Sequence, residues 1–140
     1  MKRVLLVAIL SLAACVLAES ADLTTTSIEH LYYLRARGEH LRRLTADDMI
    51  EYCVAQKIGG RAFDDLYSQL ASMRIDLAKL QRIDGLSDED ARVKTLKKTY
   101  AVYSGLLADE AQRIQRGLVR EGQIAVETLE SIGRAQQGKQ

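Results

Sequence analysis

Apolar positions recur at spacings of three and four from Ile28 onward, the periodicity of an amphipathic helix. Ile28, Leu31, Leu34, Leu41 and Leu44 mark a first helix, with Gly38 on the same stripe. The polar, Thr-rich residues 19–26 read as an extended leader, and Ser27 or a neighbouring Thr can cap the helix start. A short repeat, Glu-His-Leu-Tyr-Tyr-Leu at 29–34 and Glu-His-Leu-Arg-Arg-Leu at 39–44, falls here. Ten residues turn a helix by about 1000°, so the copies do not share a face and carry no common contact. Thr45-Ala46-Asp47-Asp48 has the form of an acidic capping box, which predicts a second helix from Ala46 to about Ile58. Its apolar side is Ala46, Ile50, Cys53, Val54 and Ile58, and Gly59-Gly60 is expected to end it in the left-handed conformation.

The cleanest stripe follows. Phe63, Leu66, Leu70, Met73, Leu77 and Leu80 form an a/d seam over roughly three heptads, closed by Asp84-Gly85. Ser87 and the acidic residues 88–90 predict the start of a fourth helix. Val93, Leu96, Tyr100, Tyr103 and Leu107 keep the heptad there, and the stripe then slips to Ala111, Ile114, Leu118, Gly122, Ala125, Leu129 and Ile132. Such slips act as stutters, which unwind a left-handed supercoil locally. Unbroken, this helix would hold on the order of 45 residues and measure about 70 Å, although Gly105, Gly117 and Gly122 invite a bend. The third helix and the start of the fourth should form an antiparallel hairpin. The first helix is long enough to cover the C-terminal half of the fourth. If it does not, that stripe is left for a partner.

The N-terminus has a different pattern. Lys2 and Arg3 precede an uncharged apolar run over residues 4–18, about fifteen residues, which Glu19 ends. That suits a secretory signal and falls short of the roughly 20 residues needed to cross a bilayer. Val16-Leu17-Ala18 fits cleavage after Ala18, the preferred reading because the run stays apolar past Cys15. Leu12-Ala13-Ala14-Cys15 also fits a bacterial lipobox, which would make Cys15 the acylated first residue of an anchored lipoprotein.

Composition agrees with helix. The chain lacks Pro, Asn and Trp, so it has no hard helix breaker and no N-glycosylation sequon. Aromatic residues make up 5%, which speaks against a large β-sandwich. Twenty Lys and Arg face 19 Asp and Glu, and losing Lys2 and Arg3 with the leader turns +1 into −1. A near-neutral chain has no bulk attraction to nucleic acid or anionic membranes.

Each chemical motif has a plainer explanation. His30 and His40 lie on different sides of one helix and cannot share a metal without another segment. Cys53 sits in an apolar stripe, where a thiol is inert; otherwise it offers an intermolecular disulfide. The acidic turn at 84–90 places its glycine second, where an EF-hand needs it sixth, and helix capping accounts for the same residues. Residues 46–69 mimic a helix-turn-helix, but Asp64 and Asp65 would repel phosphate. Arg113, Arg116 and Arg120, and Lys94, Lys97 and Lys98, are interspersed with acids and read as a solvated face. Tyr100 and Tyr103 lie on the seam, where they pack with hydroxyls at the rim or line a cavity between helices.

These patterns predict an all-α protein: a signal at 1–18, a polar leader at 19–26, a single domain over 27–136 and a frayed tail at 137–140. The domain is a three- to four-helix bundle with a long, coiled-coil-like C-terminal helix. The expected role is an exported, non-enzymatic interaction protein that binds itself or another protein through that helix. Leu107, Ile114, Leu118, Leu129 and Ile132 are the expected contacts, Cys53 a covalent link, and Cys15 the lipidation site if the lipobox is used. The alternative is a carrier of a small apolar ligand between helices. No catalytic, metal or cofactor residues are expected.

Overall fold

A computed structural model describes residues 21–138, with side chains from Ser27 onward. The signal, both cleavage readings and Cys15 fall outside the described residues. Among these residues every regular element is helical: α1 (Ala21–Arg42), α2 (Ala46–Gln56), α3 (Gly60–Ala78), a π turn (Lys79–Ile83) and α4 (Ala91–Gln137). The protein is an all-α helical bundle whose long last helix packs with the others. It divides into two compact units. Of the described residues, one unit joins those of α1 up to Glu39 with the part of α4 from Leu118 on; the other is His40–Gly117.

In the first unit α1 lies against the C-terminal half of α4. A methyl group on Gly38 would stand 2.9 Å from the Gly122 Cα, and one on Gly122 would stand 2.9 Å from both the Gly38 Cα and the Leu34 carbonyl oxygen. Only two glycines let the backbones approach this closely. Ala125, one turn on, is buried, and Ile28, Leu31, Leu34, Leu118, Leu129 and Ile132 flank the seam half-buried. Beside the crossing, Arg37 donates to Glu121 at 2.8 Å and its guanidinium lies 5.4 Å from the Tyr33 ring centroid. The buried Nε of Arg37 has no hydrogen-bond partner. The first helix therefore covers the late stripe of α4 within one chain, the first of the two arrangements the pattern allowed. α1 opens at Ala21, ahead of the expected Ser27 cap.

The second unit packs α2, α3 and the first part of α4. Thr45 caps α2 as expected: its hydroxyl accepts from the Asp48 N–H at 3.2 Å. The far end of α2 departs from the reading. Lys57, with φ of 55°, takes the left-handed cap position, and its N–H returns to the Cys53 and Val54 carbonyls. The two glycines serve other needs. A methyl on Gly59 would lie 2.2 Å from the Phe63 ring, so Gly59 makes room for that ring. Gly60 has φ of 77° and opens α3. The core holds Met49, Cys53, Phe63, Leu70, Val93, Leu107 and Ala111. Fully burying a side chain such as Phe63 contributes about 1.5–3 kcal/mol. Gln115 closes the end of α1, donating to the carbonyls of Leu41 at 2.6 Å and Leu44 at 2.9 Å.

α3 and α4 form the expected antiparallel hairpin, but its turn is built differently. The π turn inserts one extra residue before Asp84, whose N–H bonds the Lys79 carbonyl at 3.0 Å. Gly85, with φ of 64°, completes the break. Ser87 caps only the turn, accepting from the Glu89 N–H; the cap of α4 is Asp90, which accepts from the Arg92 N–H at 2.9 Å. α4 then runs unbroken through Gly105, Gly117 and Gly122.

Candidate functional site

The hairpin has two flanks, and each carries a depression. The first is a cleft where α2 meets the hairpin, with a volume of about 400 Å³. Asp47, Ile50 and Glu51 of α2 form one wall; their spacing puts all three on one helical face. Tyr67, Ala71 and Arg74 of α3 form another, and Tyr100 and Ser104 of α4 a third. The floor is Leu70 and Leu107, both buried. Tyr67 is held by the Phe63 ring, stacked at 6.3 Å between centroids. An Arg74 Nη donates to the Tyr100 hydroxyl at 3.1 Å. That bond favours the charged guanidinium and pushes the Arg74 pKa further up. Among the described residues Arg74 forms no ion pair, and neither Asp47 nor Glu51 has a hydrogen bond or ion pair through its side chain.

The second depression is an open groove of about 690 Å³ on the flank lined by α3, the π turn and α4 alone. Leu80, Leu96, Thr95 and Thr99 lie within it, between Asp76, Lys79, Asp84 and Arg92. Val102 and Leu106 continue along α4 at 60% and 44% exposure, and Ile83 at the turn is 77% exposed.

Of the expected contact residues, Leu107 is buried in the core of the second unit, where it also floors the cleft, and Ile114, Leu118, Leu129 and Ile132 are half-buried on the inner stripe of α4. Cys53 is 1% exposed, and burial pushes its thiol pKa up. A bond from Cys53 to another molecule therefore requires α2 to lift first. Of the two seam tyrosines, Tyr100 lines the cleft and Tyr103 does not.

The remaining polar candidates are bound up with their own chain. Asp88 accepts from Lys97 at 2.7 Å and Gln81 at 2.6 Å, and Glu89 pairs with Lys94 at 2.8 Å. Hydrogen bonds from Lys97 hold Asp88 below the usual carboxylate range, and those from Arg92 do the same for Asp90. His30 stacks on Tyr33 and His40 tilts against Tyr52. Among the described residues no three His, Cys, Asp or Glu side chains gather so as to hold a metal ion, and no helix is long and apolar enough to cross a membrane.

Arg74 is the cleft residue that reading by spacing missed. It stands one position off the seam beside Met73, where a helix flank is ordinarily solvated. Its pairing with Tyr100 follows from the hairpin, because the two are equally distant from Ser87 along the chain. The chain matches no family model, no curated protein and no solved structure.

Proposed function

We propose that this chain is an exported helical interaction protein that acts by binding protein, in the first instance a second copy of itself, through the outer flank of the α3–α4 hairpin. The observation that carries this reading is the open groove with Val102 and Leu106 beside it. An apolar centre ringed by charges is the anatomy of a protein interface. Both signs occur on the rim, with Asp76 and Asp84 against Lys79 and Arg92. A two-fold contact can bring each sign against its opposite. The N-terminal pattern supports export. This outer face is distinct from the inner stripe of α4, which packs against α1 and the core.

Sedimentation of the full chain over a range of concentrations, beside Val102→Asp with Leu106→Asp, tests it. Association that the double substitution abolishes supports the reading. A chain that stays monomeric at every concentration, with and without the substitutions, refutes it. A second reading, a carrier of a small ligand, is favoured by the separate cleft between α2 and the hairpin, whose volume falls in the ~300–1,000 Å³ range of small-molecule sites.

A further inference from the structure

The cleft is not uniformly apolar, and the arrangement of its charges is specific. A cation stands on the α3 wall and two carboxylates stand on the α2 wall. None of the three is neutralised by another side chain. The Tyr100 hydroxyl fixes one arm of the Arg74 fork at 3.1 Å, leaving the guanidinium's other donors for a planar acceptor. Asp47 and Glu51, one turn apart on α2, present acceptors only. The same cleft is lined by the buried Leu70 and Leu107 and by Tyr67 and Tyr100. We propose that the cleft binds a small zwitterion, a free α-amino acid with an apolar or aromatic side chain. Its carboxylate meets Arg74, its ammonium meets Asp47 and Glu51, and its side chain lies over Leu70 and Leu107.

Three physical arguments favour this class. An anion alone would meet Arg74 but approach two uncompensated carboxylates, and a simple amine would suffer the converse. A neutral apolar molecule would cover the floor but desolvate three charged groups without replacing their water, which is unfavourable. A ligand carrying both charges satisfies all three, and discrimination arises because each half-ligand leaves some of the site's charges unpaired. The inference rests on the carrier reading and narrows its ligand from an apolar molecule to a charged one.

The test is an NMR titration of the full chain with four probes of one shape: L-phenylalanine, phenethylamine, 3-phenylpropionate and 2-phenylethanol. The expected result is saturable binding of phenylalanine at the Leu70 and Leu107 methyls, at least about tenfold tighter than the other three probes. Arg74→Gln, and Asp47→Asn with Glu51→Gln, should each weaken phenylalanine by about tenfold and abolish its advantage over phenylethanol. All three positions are exposed, so the variants should keep the parent helicity and melting temperature, which circular dichroism checks. Phenylethanol binding as tightly as phenylalanine overturns the zwitterion assignment and leaves the carrier reading standing. No saturable shift from any probe overturns both.

Discussion

The Gly38–Gly122 crossing gives a prediction whose sign can be worked by comparing two glycines of one helix, Gly117 and Gly122. Alanine is favoured over glycine in a helix interior by about 0.8–1 kcal/mol. At Gly117 nothing lies within 4 Å of an added methyl, so Gly117→Ala should stabilise by up to that amount. At Gly122 the same methyl would stand 2.9 Å from the Gly38 Cα and 2.9 Å from the Leu34 carbonyl. Carbon atoms are comfortable at about 3.5–4 Å, so α1 must retreat by roughly 0.5–1 Å. The atoms in the way are backbone, and no rotamer change relieves them. Overpacking of this kind costs about 1–3 kcal/mol, more than the propensity gain, so Gly122→Ala should be neutral to destabilising, by up to about 2 kcal/mol. The assay is urea denaturation followed by circular dichroism. Hydrogen exchange of the α1 amides is read alongside, because the two units need not unfold in one step. If Gly122→Ala proved as stabilising as Gly117→Ala, the helices would not approach as described, and the account of α1 covering α4 would fail.

Three further outcomes follow. Lys57 sits at φ of 55°, a strained conformation for a side chain, so Lys57→Gly should raise stability by about 0.5–1 kcal/mol in the same denaturation experiment; a loss would mean the Lys57 side chain holds α2 in some other way. Cys53 is buried with its thiol pKa raised, so iodoacetamide should label it roughly tenfold or more slowly than in the urea-denatured chain, read by peptide mass; equal rates would place it at the surface. Asp88 and Asp90 have folded pKa values below the ordinary aspartate range, so their stabilisation is complete above that range and is lost as pH falls through the depressed values. Carboxyl ¹³C titrations should show both midpoints below that of a free aspartate, and ordinary midpoints would remove their role in holding the start of α4.

What the chain declares in its sequence is the part that depends on near neighbours. Phe63, Leu70, Val93 and Leu107, placed on the seams by spacing, are all buried, because burial of a helical stripe follows from its period. The Thr45 cap was legible for the same reason, its partner being three residues away. The π turn is not: Lys79–Ile83 holds no Gly, no Pro and no side-chain cap that would set it apart from a continuing α-helix. At the end of α2 the Gly59-Gly60 pair has the composition of a left-handed cap, yet it is Lys57 whose N–H meets the closing carbonyls of Cys53 and Val54. Gly38 and Gly122 were each seen on their stripes, but their shared purpose needs two helices brought together from opposite ends of the sequence. The cleft is half legible: the seam position of Tyr100 allows either a rim or a cavity role, whereas Arg74 gains meaning only when the hairpin folds it back beside Tyr100.

The two units differ in when the growing chain can complete them. His40–Gly117 is contiguous, and its helices can meet as soon as they are made. The other unit joins residues 84 apart, as the Arg37–Glu121 pair shows. During synthesis α1 appears early and then waits, its Ile28, Leu31 and Leu34 stripe uncovered, until the residues from Leu118 on are released. At synthesis rates of about 5–20 residues per second, that wait lasts several seconds or more. Through that interval α1 is a segment with uncovered apolar side chains, open to chaperones and to unwanted pairing. A chain cut short near Gly117 would never leave that state.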